Sequence, residues 1–510
     1  MKILALICLL QSCFLITKLR SQENYIKMYD YTNIDRPNDL VKVHDGYVVL
    51  MNCIQSPDSS PPPNLLKISK LGELVWTHNP VPIAYTSDFP ITSHRIAVTA
   101  DSSILICGRL GISDSLASVF VSKLNQNGEL LWRKTYKESY RWYEYYWAEQ
   151  IATWPNGDFL VTGVYYRKDQ GSIIYPDSMF FIKCNANGDV IRETKINYPP
   201  VPLAGYEGGD SGNPVMLPNG DIFFCFFARW NAEYHPVLAR LDSTLQLIWR
   251  KEAEGLFGRS YELKMTDDGN ILMYVEGGYN VHPSGSDPII QKLTPDGDSL
   301  WTYSPPGLNA QQCYDMATLN NGDIVFTGTP SNFEWLRCIS PQGKYKWHRK
   351  FKPPDSRDAD RLYLSRIIGT ADGGMLIAGF YQKYPNNPED HLDDDIILIK
   401  LDSMGCITPG CGVEEIFVGT NDLVEGVAQP RTFRLQPNPA SDAVTLIYPG
   451  WQEGQQTIID IFDLAGKRIK SLSIDAVVSE ISINTLPKGI YLVRLYSSSG
   501  TSQTQKLVKN

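Results

Sequence analysis

One stretch repeats through most of the chain, and an internal repeat narrows the possible folds before anything else is considered. Its clearest copy reads Asp315-Met-Ala-Thr-Leu, the turn Asn320-Asn-Gly-Asp323, Ile-Val-Phe-Thr-Gly328, a variable insert, Trp335-Leu-Arg-Cys-Ile339, the turn Ser-Pro-Gln-Gly343, then Lys-Tyr-Lys-Trp347. These are four short β-type runs, with a tight turn after the first and after the third. The first turn recurs at Gly157, Gly220, Gly269, Gly322 and Gly373, at intervals of 63, 49, 53 and 51. From Gly46 to Gly157 the step is 111, two units, and the missing turn is Asp101-Ser102-Ser103. The count is therefore seven. Trp76, Trp132, Trp249, Trp301 and Trp347 close units in the same rhythm; Arg192 stands at that place in unit three, and unit seven has no Trp.

A unit this short cannot bury a core alone. Four antiparallel strands every 40–50 residues, stacked face to face, predict an all-β, seven-bladed β-propeller. Asn-Gly and Asp-Gly supply the positive φ that tight hairpins need. Gly163, Gly328 and Gly379 are expected to end second strands. Third strands such as Val-Phe-Val-Ser-Lys123 and Ile-Ile-Leu-Ile-Lys400 are nearly continuous apolar runs, as strands covered on both faces should be. The closing Trp is expected to pack on the next blade. Unit seven stops at Met404-Gly405-Cys406 without a fourth strand, while Tyr25-Ile-Lys-Met-Tyr29 looks like one. The N-terminal strand is thus expected to complete blade seven and close the ring. Over residues 25–406 the unit resembles the propeller repeats of bacterial surface and secreted proteins, which implies a fold and no particular activity.

Four segments are expected. Residues 1–22 read as a secretory signal, with Lys2 ahead of an apolar run to Ile16 and cleavage near Ser21; the run continues past Cys13, unlike a lipoprotein box. Residues 23–406 hold the repeats, and 407–432 lose them and form a linker with one strand at Glu415 to Val418. Residues 433–510 carry short alternating strands between regular turns, a small Ig-like β-sandwich. Their motifs are Pro437-Asn438-Pro439, Asp463 with Gly466-Lys467, Gly489 with Tyr491, and Lys506 near the end. This series resembles the type A C-terminal sorting domain of the type IX (Por) secretion system. The resemblance implies passage across the outer membrane by that machinery, and a product secreted or attached to the outer surface.

The net charge of −9 argues against nucleic acid as a partner. Export permits disulfides. Cys53, Cys107, Cys184, Cys225 and Cys338 lie in apolar strands and Cys313 leads into one, which suits buried thiols; Cys406 and Cys411 flank a Pro-Gly turn and form a candidate disulfide. Gly209-Asp-Ser-Gly-Asn-Pro214 looks like the loop around a serine nucleophile, but no His base or buried Asp accompanies it, and a glycine-rich connector is expected. Asp390, Asp393, Asp394 and Asp395 are the residue type that binds Ca²⁺, without the spacing or central Gly of an EF-hand; a solvated acidic loop is expected. His235, His282 and His391 occupy corresponding loops held apart by the ring, and no metal is assigned. No cofactor is expected.

Alternate connections of a four-stranded blade lie on opposite faces. One face is expected to carry only tight turns and the other all the long loops, where binding concentrates. Tyr140, Trp142, Tyr143, Tyr145 and Trp147, with Trp230, Tyr234, His235, Tyr279 and His282, are the candidate ligand-binding residues on that face. The expected function is that of an exported module binding a glycan or a protein. The alternative is a secreted hydrolase or lyase acting on polysaccharide or peptide through loop carboxylates.

Overall fold

A fixed turn after each apolar run folds successive runs back as antiparallel neighbours. A computed structural model describes residues 24–510 except 31–33, 55–63, 80–91, 112–115, 141–143, 169–173, 198–213, 231–232, 254, 280–286, 305–311, 330–333, 353–360, 384–392, 408–410, 412–414, 418–422, 425–432, 437, 448–456, 464–466, 475–477 and 498–501. Six blades take four consecutive strands each, over residues 34–78, 92–140, 144–197, 215–252, 256–303 and 312–352. The seventh takes three strands from residues 361–401 and its fourth from the N-terminus. There Tyr25–Tyr29 runs antiparallel to Asp393–Leu401, with Tyr25 opposite Lys400 and Tyr29 opposite Ile396. Asn24 reinforces the closure, its Nδ2 donating to the carbonyls of Cys406 and Ile407 at 3.2 and 2.8 Å.

The rim repeats one packing device around the ring. The turn between third and fourth strands has a glycine at positive φ, and the Trp of the preceding blade lies against it. A Cβ on Gly188 would sit 2.9 Å from Trp132, and one on Gly405 2.7 Å from Trp347. The closing strand supplies Tyr25 where blade seven has no Trp; it packs on Gly72 of blade one. Blade four is the exception that explains the rule. Its turn has Leu245 at φ 65°, and the residue in the Trp register of blade three is Arg192, opposite Lys183. With no indole to accommodate, the turn keeps a side chain.

A second rim device joins the third strand to the first turn of the same blade. Lys67 pairs with Asp45 at 2.9 Å, Lys123 with Asp101 at 3.2 Å, Arg240 with Asp221 at 2.7 Å and Lys400 with Asp372 at 2.8 Å. Between blades, cores of Val, Ile, Leu and Phe are closed to solvent. Cys107, Cys184, Cys225, Cys313 and Cys338 are buried free thiols, and burial pushes Cys107 and Cys338 up to about 12 and Cys184 to about 11. They are held in the unreactive thiol form.

Gly328 stands one residue before the end of its strand, Ile324–Thr329, but Gly163 and Gly379 do not end theirs. The strand holding Gly163 runs on to Lys168, and the one holding Gly379 to Lys383. A Cβ on Gly163 would lie 1.9 Å from the Trp147 carbonyl, and one on Gly379 2.0 Å from that of Tyr363. These glycines admit a bulge in the first strand, as set out below.

Beyond blade seven, Cys406 and Cys411 form a disulfide. Glu415–Phe417 then adds in parallel to Tyr345–Lys352 of blade six, and Leu423–Val424 adds in parallel to the closing strand. The chain divides into two compact units after Glu425.

The second unit pairs a three-stranded sheet (Arg434–Gln436, Ala443–Ile447, Val478–Ser482) with a four-stranded one (Arg468–Ile474, Thr457–Phe462, Gly489–Ser497, Ser502–Lys509) around one apolar core. Its motif residues hold turns and the last strand. Asn438 donates to the Lys506 carbonyl at 2.7 Å and accepts from the Val508 amide at 2.9 Å. The Asp463 carboxylate accepts the Lys467 amide at 2.9 Å, and the Tyr491 hydroxyl donates to the Pro487 carbonyl at 2.7 Å. Pro437 and Gly466 lie outside the described residues.

Candidate functional site

The first strand of each blade is the one nearest the axis, and in six blades the described residues of that strand break register once. The shift falls between Pro37 and Asp39, Ser93 and Arg95, Ala148 and Gln150, Ser260 and Glu262, Cys313 and Asp315, and Tyr363 and Arg366. A bulge re-aims the side chain that follows it. Six blades thereby place Asp39, Arg95, Gln150, Glu262, Asp315 and Arg366 at one level. By count along the strand, blade four's counterpart is Asn213, outside the described residues.

Asp39, Arg95, Asp315 and Arg366 each reach the next blade, and beside Glu262 it is Lys264 that does so. Asp39 accepts the amides of Leu40 and of Ile96 in blade two, both at 3.0 Å. Arg95 Nε donates to Gln150 Oε1 of blade three at 3.0 Å. Lys264, two residues beyond Glu262, lies 3.2 Å from Glu262 and 3.2 Å from Asp315 of blade six. Asp315 accepts the amides of Met316 at 2.8 Å and of Ile367 in blade seven at 3.0 Å. Arg366 Nε donates to the Asn38 carbonyl of blade one at 2.7 Å. A buried carboxylate left unpaired would cost several kcal/mol, roughly, so these partners are obligatory rather than decorative. With Lys264 counted beside Arg95 and Arg366, three bases balance the three acids Asp39, Glu262 and Asp315 among the described residues.

Electrostatics follow from enclosure. Burial opposes the charge on Lys264, yet Asp315 and Glu262 outweigh it and hold the ammonium well above its ordinary range. Arg366 goes the other way: burial first, then the Arg95 guanidinium, lower it from the usual arginine value. Lys264 still exposes 34% of its side chain, so solvent reaches the axis.

Above this level, toward the long connections, register aligns a second tier. Arg36 lies opposite Asn52, Trp147 opposite Val164 and Tyr363 opposite Phe380, each at the sixth residue counted from the start of the second-strand core. On this side of the bulge the side chains contact the preceding blade instead. Arg36 Nε donates to Asp394 Oδ2 at 2.6 Å, with its guanidinium 4.9 Å over the Phe380 ring. The Arg109 guanidinium lies 5.3 Å over Trp147. Tyr363 stacks on Phe380 at 4.5 Å and meets Tyr314 of blade six edge-on at 6.4 Å. Trp147, Tyr314, Tyr363 and Phe380 are half-buried.

The sequence candidates distribute unevenly over this geometry. Trp147 belongs to the upper tier. Tyr234 packs edge-on against Phe227 at 5.4 Å. His235 is buried in the strand Glu233–Leu241, its Nδ1 2.7 Å from Glu252. Tyr140, Tyr145, Trp230 and Tyr279 lie in strands, their side chains outside the described set; Trp142, Tyr143 and His282 lie outside the described residues altogether. Strands Leu130–Tyr140 and Glu144–Thr153 leave only 141–143 between them, and 231–232 alone join Ile222–Trp230 to Glu233–Leu241. Several connections expected to be long are therefore short, because the blades themselves extend toward that face.

The acidic loop is also revised. Asp393–Leu401 is a strand, and Asp394 and Asp395 are fully buried in it. Arg36 and Gln382 hold Asp394, and Lys383 holds Asp395. No group of three or more His, Cys, Asp or Glu suited to a metal occurs among the described residues; Asp390 and His391 lie outside them.

The axial tiers themselves were not anticipated. Their polar residues are not constant around the ring, Asp standing in blades one and six, Arg in two and seven, Gln in three and Glu in five, so no one residue type marks the level. One signal was present: Gly108, Gly163 and Gly328 each face the residue where a bulge begins.

Residues 434–510 match the family described as the secretion system C-terminal sorting domain. No curated protein matches the chain. Among solved structures the chain is similar to the extracellular domain of the one component system BT4673 from B. thetaiotaomicron, at 10% identity and a TM-score of 0.41, over 96% of this chain. It spans 60% of that chain's length. It is also similar to YCF48 bound to D1 peptide (11% identity, TM-score 0.43, 74% of this chain and 96% of that one). A third is a polysaccharide lyase of family PL25, an ulvan lyase (9%, TM-score 0.47, 75% and 97%). At such identities and scores these likenesses carry nothing about ligand or activity. No helix among the described residues is long and apolar enough to cross a membrane. The C-terminal unit is thus a Por secretion-system sorting domain, and the propeller it carries is secreted or attached at the outer surface of the cell.

Proposed function

We propose that the propeller is a non-catalytic module that binds an extracellular glycan or protein at the axial mouth on its long-connection face. The observation supporting this is the pairing of the two tiers. Half-buried Trp147 and Tyr363 share one level with the guanidinium of Arg36, above a polar floor already neutral. Flat rings with polar edges beside a cation suit recognition of sugars or peptide side chains. Hydrolysis or elimination would call for carboxylates available to a substrate. Glu262 and Asp315 do converge, but on Lys264, and Asp315 also accepts two backbone amides. Their commitment favours binding over catalysis.

The test is a glycan and protein binding screen with the exported full-length protein and its Trp147→Ala and Tyr363→Ala variants. A stacking residue that is a hot spot contributes about 2 kcal/mol, so each variant should bind about thirty-fold more weakly with its melting temperature little changed. Trp142→Ala and Trp230→Ala extend the screen to the remaining candidates. Unaltered affinity in Trp147→Ala and Tyr363→Ala alike would remove the axial mouth as the site.

A further inference from the structure

The sector of the mouth between blades six, seven and one carries uncommitted donors beside an aromatic platform. Arg36 uses Nε on Asp394, and among the described residues its two terminal nitrogens make no hydrogen bond, while 44% of its side chain is exposed. Arg366 spends Nε on the Asn38 carbonyl and Nη1 on the carbonyls of Tyr314 and Ser365 at 3.4 and 3.0 Å. Its Nη2 makes none among the described residues, and the Asp39 carboxylate lies 3.8 Å from its Nε. Arg366 grips the carbonyl of Asn38, two residues along the strand from Arg36. The aromatic rings are tied to the same atoms. Tyr314, whose carbonyl Arg366 holds, meets Tyr363 edge-on, and Tyr363 stacks on the Phe380 that lies beneath Arg36.

Free planar donors of two arginines next to half-buried Tyr rings match one chemistry. Guanidinium forks recognise carboxylate and sulfate oxygens in two-point geometry, and Tyr faces take the apolar face of a sugar ring. The carboxylates nearby do not compete: Asp394 is fully buried on Arg36 Nε and Gln382, and Asp39 is turned onto backbone amides. We propose that this sector binds an acidic saccharide, its ring against Tyr363 and Tyr314 and its carboxylate or sulfate on Arg36 and Arg366. This rests on the binding-module reading above and names its ligand class.

Isothermal titration of the full-length protein should use three oligosaccharides of matched length: oligogalacturonate for carboxylate, a sulfated galactan fragment for sulfate, and a neutral cello-oligosaccharide. One acidic probe or both should bind, and the neutral one at least tenfold more weakly. Arg36→Gln should cost at least tenfold for the acidic probe, Arg36→Lys should restore only part of that, and affinity should fall as salt rises. Arg366→Gln should do the same if it folds; Gln and Lys at position 36 can each still donate to buried Asp394, so the Arg36 variants keep the test decisive if it does not. Equal binding of acidic and neutral probes, or undiminished acidic binding in Arg36→Gln, overturns the proposal. If no saccharide binds but a protein ligand does, the acidic-sugar assignment fails and the binding module stands. If neither binds, both fall.

Discussion

The rim and the axis of the propeller solve the same problem, joining one blade to the next, in opposite ways. At the rim the answer is repeated: an aromatic ring from one blade lies on the turn glycine of its neighbour, five times a Trp and once Tyr25, and at the seventh junction the pair is replaced together by Arg192 and Leu245. At the axis the answer varies, from carboxylate on amide, used by both Asp39 and Asp315, to guanidinium on side-chain amide to ammonium on carboxylate. Apolar packing needs only shape, which a repeat can copy. Polar pairing at close quarters needs opposite partners, and a ring of identical charges would repel itself. Divergence at the axis is therefore tolerated structurally and open to use by a ligand.

The comparison is broken most severely where rim and closure meet. A chain beginning at Asp35 loses the fourth strand of blade seven, Tyr25 beneath Gly72, and the Asn24 clasp. It should be insoluble or melt more than about 10 °C lower, since several kcal/mol of a marginal stability are removed. Equal melting of the long and short forms, followed by circular dichroism, would show that closure is incidental.

A middle-sized effect separates the two regions directly. Trp347 is buried and in contact with Gly405, so Trp347→Ala should cost about 3–5 kcal/mol in urea unfolding. Gln150→Ala at the axis removes one acceptor from Arg95 and should cost about 1–3 kcal/mol. A reversed order would place the main inter-blade stability at the axis. The exceptional junction sharpens the point. Arg192→Trp combined with Leu245→Gly rebuilds the common pair, and the double variant should exceed the sum of its singles by about 1 kcal/mol. Strict additivity would separate the two positions.

The smallest effect is electrostatic. At the rim the Thr99 hydroxyl, then the Ser103 amide and Lys123, hold Asp101 well below the usual carboxylate range. A folded pKa below the unfolded one contributes stability that is complete above about pH 4 and is lost as pH falls below it. Asp101 is 62% exposed, so solvent screening leaves a small share. Denaturation at pH 7 and pH 3 should show slightly less acid loss in Asp101→Asn than in the parent chain. An unchanged difference would reduce that clasp to geometry alone.

Legibility followed the same division. The blade count, the closing strand and the rim Trp could be read because each is marked by a residue type that the turn or the packing allows almost alone. Trp and Gly recur at fixed spacing, and even the gap at Arg192 was visible. Ligand residues were sought in connections judged long by their sequence, yet the strands run on into that face, so Trp147 became part of an inner strand and His235 part of a buried one. Asp394 and Asp395 looked like a solvated run of charge because the cations that neutralise them lie elsewhere in the chain. The bulges were hidden as well: one extra residue in a strand leaves no composition signal of its own, only a glycine across from it.

By itself the sequence determined whatever depends on near neighbours: turns at positive φ, four-strand units, an apolar third strand, and a sorting domain spelled by its own turn motifs. Tertiary structure decided what depends on the ring. Arg36 and Asp394 are separated by 358 residues, and Arg366 reaches Asn38 across 328, because the closed circle sets the last blade beside the first. The axial tiers exist only after six strands converge and each shifts register once. Glu262 meets Lys264 of its own repeat, but the contacts that join one blade to the next have their two halves in different repeats.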